Sequence, residues 1–178
     1  MPRDQKVSGE TRRQTILENL KVSASPITGN ELAAKMKVSR QVIVSDITLL
    51  KAKQEPILAT SQGYLYMPSN PPVKAVRTIV CRHKPEQSEE EMRIIVEAGA
   101  SIKNVSIEHP VYGDLTASMM IFTTDDVTQF ISKIKSTDAS FLSELTGGVH
   151  LHEIEADSES ILQQVEEKLF KARILVKD

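Results

Sequence analysis

The segment Pro68-Ser69-Asn70-Pro71-Pro72 constrains this chain more than any other feature. It places three prolines in five residues. Each proline ring fixes φ and removes a backbone donor, so the segment can neither continue a helix nor sit inside a central strand. The 178 residues therefore divide into a domain over residues 1–67, a linker over 68–72 and a second domain over 73–178. Charge divides at the same place. Residues 1–70 hold ten Lys and Arg against six Asp and Glu, whereas residues 71–178 hold twelve against eighteen. A basic part joined to an acidic part implies different partners for each. No apolar run approaches the roughly 20 residues of a membrane span, so no membrane partner is expected. The polar start MPRDQKVSGETRRQ has no signal-peptide pattern. A single cysteine, Cys81, excludes a disulfide framework and a Cys-rich zinc site. These features together predict a cytoplasmic protein. Aromatic residues make up 4 % and tryptophan is absent, which argues against a stacking platform for single strands.

The basic part reads as three helices and a hairpin. Residues 9–20 place Ile16, Leu17 and Leu20 on one face. A second helix opens at Thr28, which has capping-box spacing to Glu31, and carries Leu32, Ala33 and Met36. After a tight turn at Met36-Lys37-Val38, Ser39 caps a third helix to about residue 52, with Ile43, Ile47 and Leu50 as its buried stripe. ILATSQGYLYM, residues 57–67, reads as a hairpin around Ser61-Gln62-Gly63. Two helices, a turn and a following hairpin make a winged helix-turn-helix. The third helix is its reading element. Arg40 and Gln41 lie where side chains reach base edges, with geometry suited to guanine and adenine. Val44, Ser45 and Thr48 share that exposed face. Lys35, Lys37, Lys51 and Lys53 are placed for phosphates. The expected partner is double-stranded operator DNA. One such helix reads only a half-site, so a homodimer is expected.

The acidic part alternates as βαββαβα, with strands over residues 73–83, 103–109, 115–123 and 149–155 and helices over 88–99, 124–136 and 158–172. Val76, Ile79 and Val80 are the apolar positions of the first strand. The fold class is α+β, one sheet with helices on one face. All four histidines fall here. His150 and His152 are two apart on a strand and so share a face, with Cα atoms roughly 6.6 Å apart. A right-handed crossover makes the strands ending at His83 and His109 run the same way, and the last strand, starting near His150, runs against them. Glu91 sits in the first turn of the helix after His83. His83, Glu91, His150, His152 and His109 are thus expected at one edge of the sheet, where the first four can hold a metal. Glu91 has a second reading, since Ser88 to Glu91 also has capping-box spacing.

The segment VSRQVIVSDITLLK resembles the recognition helix of winged-helix regulators related to the biotin repressor. The segments CRHK, EHPVYGDL and LTGGVHLHEI resemble the three-histidine (3H) domain that follows such a module in a bacterial family of nicotinate-responsive repressors of NAD biosynthesis and salvage. The resemblance runs from about residue 10 to the end. It implies a phosphocarrier-like open-faced sandwich for the second domain. It also implies one transition metal ion per chain, held by His83, Glu91, His150 and His152; this donor set suits nickel, zinc, iron or cobalt. The implied effector is nicotinate, as corepressor. Its ring nitrogen and carboxylate cannot both chelate one ion, so His109 and the backbone amides of Tyr112 and Gly113 are the expected partners of its second group. The implied protein is a regulator and not an enzyme. Two rival readings are a metal-dependent hydrolase built on the same histidines, for which Glu153 is on the wrong strand face to serve as base, and a regulator that senses the metal itself.

Overall fold

In the computed structural model, residues 8–67 and 73–177 are described; the expected linker over 68–72 lies outside them. The chain separates into two compact units, one ending at Pro71 and the other beginning at Pro72.

The first unit opens with α1 (Gly9–Val22), whose first turn is capped by the Ser8 hydroxyl accepting from the Thr11 amide. Helix α2 (Gly29–Met36) starts with a complete capping box: the Thr28 amide donates to Glu31 at 2.7 Å and the Glu31 amide to the Thr28 hydroxyl at 3.1 Å. Lys37 then adopts a left-handed conformation, φ 52°, which ends α2 and makes the tight turn. Ser39 caps α3 (Arg40–Ala52). Strands β1 (Ile57–Ala59) and β2 (Tyr64–Tyr66) form the antiparallel hairpin. Ile27 exchanges both backbone hydrogen bonds with Tyr64, at 2.9 and 2.8 Å, so the chain before α2 joins the small sheet. One residue has no periodicity, and the sequence reading did not contain this bridge. Gly63 sits beside it at φ 147°, where a Cβ would lie 2.5 Å from the Ile27 carbonyl oxygen. Ile16, Leu17, Leu20, Leu32, Ala33, Ile43, Ile47, Leu50 and Ile57 form the core.

The second unit runs β3 (Ala75–Arg82), a 3-10 turn (Pro85–Gln87), α4 (Ser88–Glu97), β4 (Ser101–His109), β5 (Gly113–Ile121), α5 (Thr124–Thr137), a 3-10 turn (Leu142–Thr146), β6 (Val149–Ala156) and α6 (Glu159–Lys171). The sheet order is β3-β6-β4-β5 with every neighbouring pair antiparallel, so β3 and β4 are parallel, as a crossover through α4 requires. The fold is α+β. One face of the sheet supplies Ile79, Cys81, Ile102 and Ile154 to a core completed by Ile95, Val127, Leu162, Val165 and Leu169 of the helices. Burial of each large aliphatic side chain contributes about 1.5–3 kcal/mol, enough for Leu162, Val165 and Leu169 to hold α6 on the sheet. Val76 and Val80 do not belong to this core; period two turns them away from Ile79, and they are 49 % and 37 % exposed on the open face. The strand over 115–123 begins and ends two residues earlier, because the turn after His109 is tight. Among the described residues no helix is long and apolar enough to cross a membrane.

Candidate metal centre and nucleic-acid interface

Strand register assembles the histidines. Across β3 and β6, Cys81 faces His150 and Ile79 faces His152; across β4 and β6, Val105 faces His152. All these side chains point to the helix-covered face. His83 continues β3 on that face, and α4 lowers Glu91 onto it. His83, Glu91, His150 and His152 are all buried. The Nε2 atoms of the three imidazoles converge on one carboxylate oxygen, Glu91 Oε2, at 2.8 Å from His83, 3.3 Å from His150 and 3.4 Å from His152. Neighbouring rings pack edge to face with centroids 4.9 Å apart.

The opposite side of each ring decides what the cluster can do. The Nδ1 atoms lie 2.8 Å from the Lys84 carbonyl for His83, 2.9 Å from the Gly148 carbonyl for His150 and 2.8 Å from the Asn104 carbonyl for His152. A carbonyl only accepts, so each Nδ1 carries the proton. A neutral ring then aims a bare Nε2 lone pair at a carboxylate oxygen, another acceptor. Such a contact is repulsive unless a proton or a cation stands in it. Three buried imidazolium ions around one carboxylate would leave a large uncompensated charge. A metal ion with neutral histidines removes the conflict, and tying the second ring nitrogen to a backbone carbonyl is the usual support of a metal-bound histidine. The nitrogen–oxygen separations also fit: bonds of about 2.1 Å give ligand–ligand edges of about 3.0 Å in an octahedron and 3.4 Å in a tetrahedron.

Protons fill the same role when no metal does. Burial pushes the His83 and His152 pKa values down, but the Glu91 carboxylate outweighs it and holds both above the ordinary histidine value. Burial pushes Glu91 up, and the histidines, His152 foremost, overrule it and hold the carboxyl well below the usual range. Glu91 is therefore ionised and is not a helix cap. Gln87 occupies the N-cap of α4 without a side-chain bond, since the 3-10 turn already supplies the first bonds and frees Glu91 to point inward.

Two residues of the cluster were missing from the sequence reading. Cys81 places its sulfur within 4.8 Å of both a Glu91 oxygen and a His150 ring nitrogen. Burial pushes its thiol up, and the negative charge of the nearby Glu91 carboxylate adds to the shift. The available signal was the spacing Cys81-x-His83, the same period two that paired His150 with His152. Gly148 is the other. At φ 93° its absent Cβ would stand 2.2 Å from the His83 carbonyl oxygen, and its own carbonyl accepts from His150. A Gly148→Ala variant should lose well over 2 kcal/mol, the left-handed backbone costing about 1–2 kcal/mol before the collision is counted. Gly147→Ala, where a Cβ meets nothing within 4 Å, should lose only that backbone cost. Urea unfolding of both variants is the check, and equal losses would show that the His83 carbonyl moves aside freely.

His109 lies on the face of the cluster but apart from it. It is four residues beyond Val105 along β4, roughly 13 Å. Its Nδ1 accepts the amides of Val111 and Tyr112 at 3.2 and 3.3 Å, and its ring stacks on Tyr112. The expected convergence of His109 with the other four does not occur. The Tyr112 amide, expected to be free for a ligand, is engaged by His109, while Gly113 opens β5 at φ 71°.

In the first unit, α3 exposes Arg40, Gln41, Ser45, Thr48 and Lys51 opposite Ile43, Ile47 and Leu50. The Ser45 and Thr48 hydroxyls donate to the Gln41 and Val44 carbonyls, leaving their oxygens as acceptors. Lys37 and Lys53 are exposed, whereas the Lys35 ammonium is bound to the Asn19 side chain. Asp46 was not foreseen. It is buried within the apolar stripe, three residues after Ile43, and binds Arg12 at 2.6 and 3.3 Å and Arg13 at 3.3 Å. This pair ties α1 to the reading helix.

Comparison with known proteins agrees with both halves. Residues 12–65 match the HTH domain and residues 76–178 the 3H domain. The chain is 52 % identical over 180 residues to the transcription repressor NadR of Bacillus subtilis, with 100 % of each chain covered. It is 34 % identical over 169 residues to the probable transcription repressor NiaR of Thermotoga maritima, covering 95 % of each. The chain thus belongs to the family of transcription repressors that join a helix-turn-helix domain to a 3H domain.

Proposed function

We propose that this repressor acts in the cytoplasm on genes of NAD biosynthesis and salvage, binding operator DNA as a homodimer through α3. Residues 73–178 serve as a regulatory domain joined to the DNA-binding domain by the 68–72 linker. In that domain His83, Glu91, His150 and His152 hold one transition metal ion, nickel, zinc or iron, and nicotinate binds beside it as corepressor. The observation that carries the metal reading is the set of three buried imidazoles, each with Nδ1 tied to a carbonyl and Nε2 aimed at Glu91. A bound ion supplies positive charge and coordination positions for a donor group of the effector. The link to nicotinate rests on the resemblance of CRHK, EHPVYGDL and LTGGVHLHEI to nicotinate-responsive regulators. His109, Tyr112 and Gly113 are the proposed partners for the effector's second group, the Tyr112 amide leaving His109 Nδ1 as the effector binds.

A regulator fits better than a hydrolase. Glu153 faces away from the histidines along β6 and pairs with Lys103 at 3.5 Å, so it cannot act as base at the cluster. Operator affinity with and without saturating nicotinate, at fixed salt and metal, tests the proposal. Coupling of about 1–3 kcal/mol is expected. Unchanged operator affinity despite measurable nicotinate binding would remove nicotinate as the signal, and a response to metal alone would make the protein a metal sensor.

The reading helix makes a separate prediction. Arg40→Ala should cost about 1–3 kcal/mol on operator DNA and relax sequence preference, whereas Lys51→Ala should weaken all sequences alike and lower the salt slope by about 1. Titrations of operator and random duplexes across salt concentrations distinguish the two. Equal losses on both duplexes for Arg40→Ala would remove that residue from base readout.

A further inference from the structure

The cluster contains one more donor than the four residues proposed above. Cys81 is fully buried, lies two residues before His83 on β3, and faces His150 across the sheet. Its Sγ, a Glu91 carboxylate oxygen and a His150 ring nitrogen all lie within 4.8 Å of one another. Bonds of about 2.1 Å to nitrogen or oxygen and 2.3 Å to sulfur allow opposite donors to stand up to about 4.4 Å apart. The sulfur thus stands beside the ligand sphere, and a change in its χ1 or a movement of Glu91 would bring it into bonding range.

Resting on the metal-centre reading, we propose that Cys81 is itself a metal donor, which makes this a mixed histidine, carboxylate and thiolate site. As the bond forms, the S–H bond breaks, the proton leaves to solvent, and a sulfur lone pair binds the ion; no electron is transferred. Charge supports the assignment. A divalent ion with neutral histidines and Glu91 alone leaves one positive charge in a buried site, and a thiolate cancels it. Softness gives the site a selectivity: thiolate disfavours magnesium and manganese and favours zinc and other thiolate-binding ions.

The test uses the full chain. Cobalt-loaded wild-type protein should show sulfur-to-metal charge-transfer absorption in the near ultraviolet, and X-ray absorption of the zinc-loaded protein should show one sulfur at about 2.3 Å. Cys81 is the chain's one cysteine, so no other thiolate can produce the band. Cys81→Ser should abolish it and weaken cobalt binding about tenfold or more, at least the loss expected for a supporting partner. The wild-type spectra decide the question even if the variant folds poorly. One bound ion with only nitrogen and oxygen neighbours would overturn the Cys81 assignment and leave the metal centre standing. A band that persists in Cys81→Ser would also overturn it. A wild type that binds neither ion tightly would overturn both.

Discussion

A His152→Ala variant should purify without bound metal and unfold about 11 °C or more below the metal-loaded wild type. The second unit has its own aliphatic core, so it does not depend on metal to fold. An ion bound to the folded state then adds the linkage term, about 2.7 kcal/mol at a hundred times Kd and 4.1 kcal/mol at a thousand times. For a domain of this size 1 kcal/mol moves Tm by about 4–8 °C. The size of the metal effect should depend on pH, with a definite sign. His83 and His152 have their folded pKa values raised above the ordinary 6.5. In the metal-free protein their contribution is complete below 6.5 and is lost as pH rises through the raised folded values. Metal needs those nitrogens unprotonated, so its binding strengthens over the same interval. The Tm difference between loaded and chelated protein should therefore be small near pH 5 and grow steadily above the ordinary histidine value. Thermal unfolding with metal and with chelator at several pH values measures it. A difference that shrinks as pH rises, or full metal occupancy in His152→Ala, would contradict this centre.

Asp46→Ala should destabilise the helix-turn-helix domain by about 3 kcal/mol. Removing one partner of a buried ion pair typically costs about 3–5 kcal/mol, because the other charge is left without compensation. The lower end applies here, since the Arg12 and Arg13 side chains keep 13 % and 22 % exposure and recover some hydration. The effect should extend to DNA binding, because the same contacts set α3 against α1. Arg12→Ala should cost less, as Arg13 still reaches Asp46. Urea unfolding followed by operator titration under folding conditions reads both effects. A loss below about 0.5 kcal/mol would place the pair with surface salt bridges that contribute little.

The elements of this protein were legible in its sequence because they depend on near neighbours. The capping box of Thr28 and Glu31, the cap of Ser39 and the stripe of Ile43, Ile47 and Leu50 all lie within four residues. The same spacing argument failed at Glu91, where capping and inward burial have identical local signatures. Apolar character alone did not sort Val76 and Val80 from Ile79; period two turns the two valines to the open face, where they are exposed. The sheet edge shared by His83 and His150 followed from chain direction alone, through the crossover rule. His109 obeyed the same rule yet remained apart from His83, because direction sets the edge of a sheet but not the strand order, and β6 stands between β3 and β4.

Periodicity, caps and motif spacing are local properties, so the helices, the hairpin, the βαββαβα order and the family could be read from the residues alone. Which charges meet depended on how the elements pack. Asp46 reaches Arg12 across 34 positions and His152 reaches Glu91 across 61. Cys81 joins His150 through a strand register that no local pattern encodes. These contacts are set when packed faces close and water leaves. At that point an unpaired buried charge becomes too costly to keep, and each donor is held to the partner that packing brings to it.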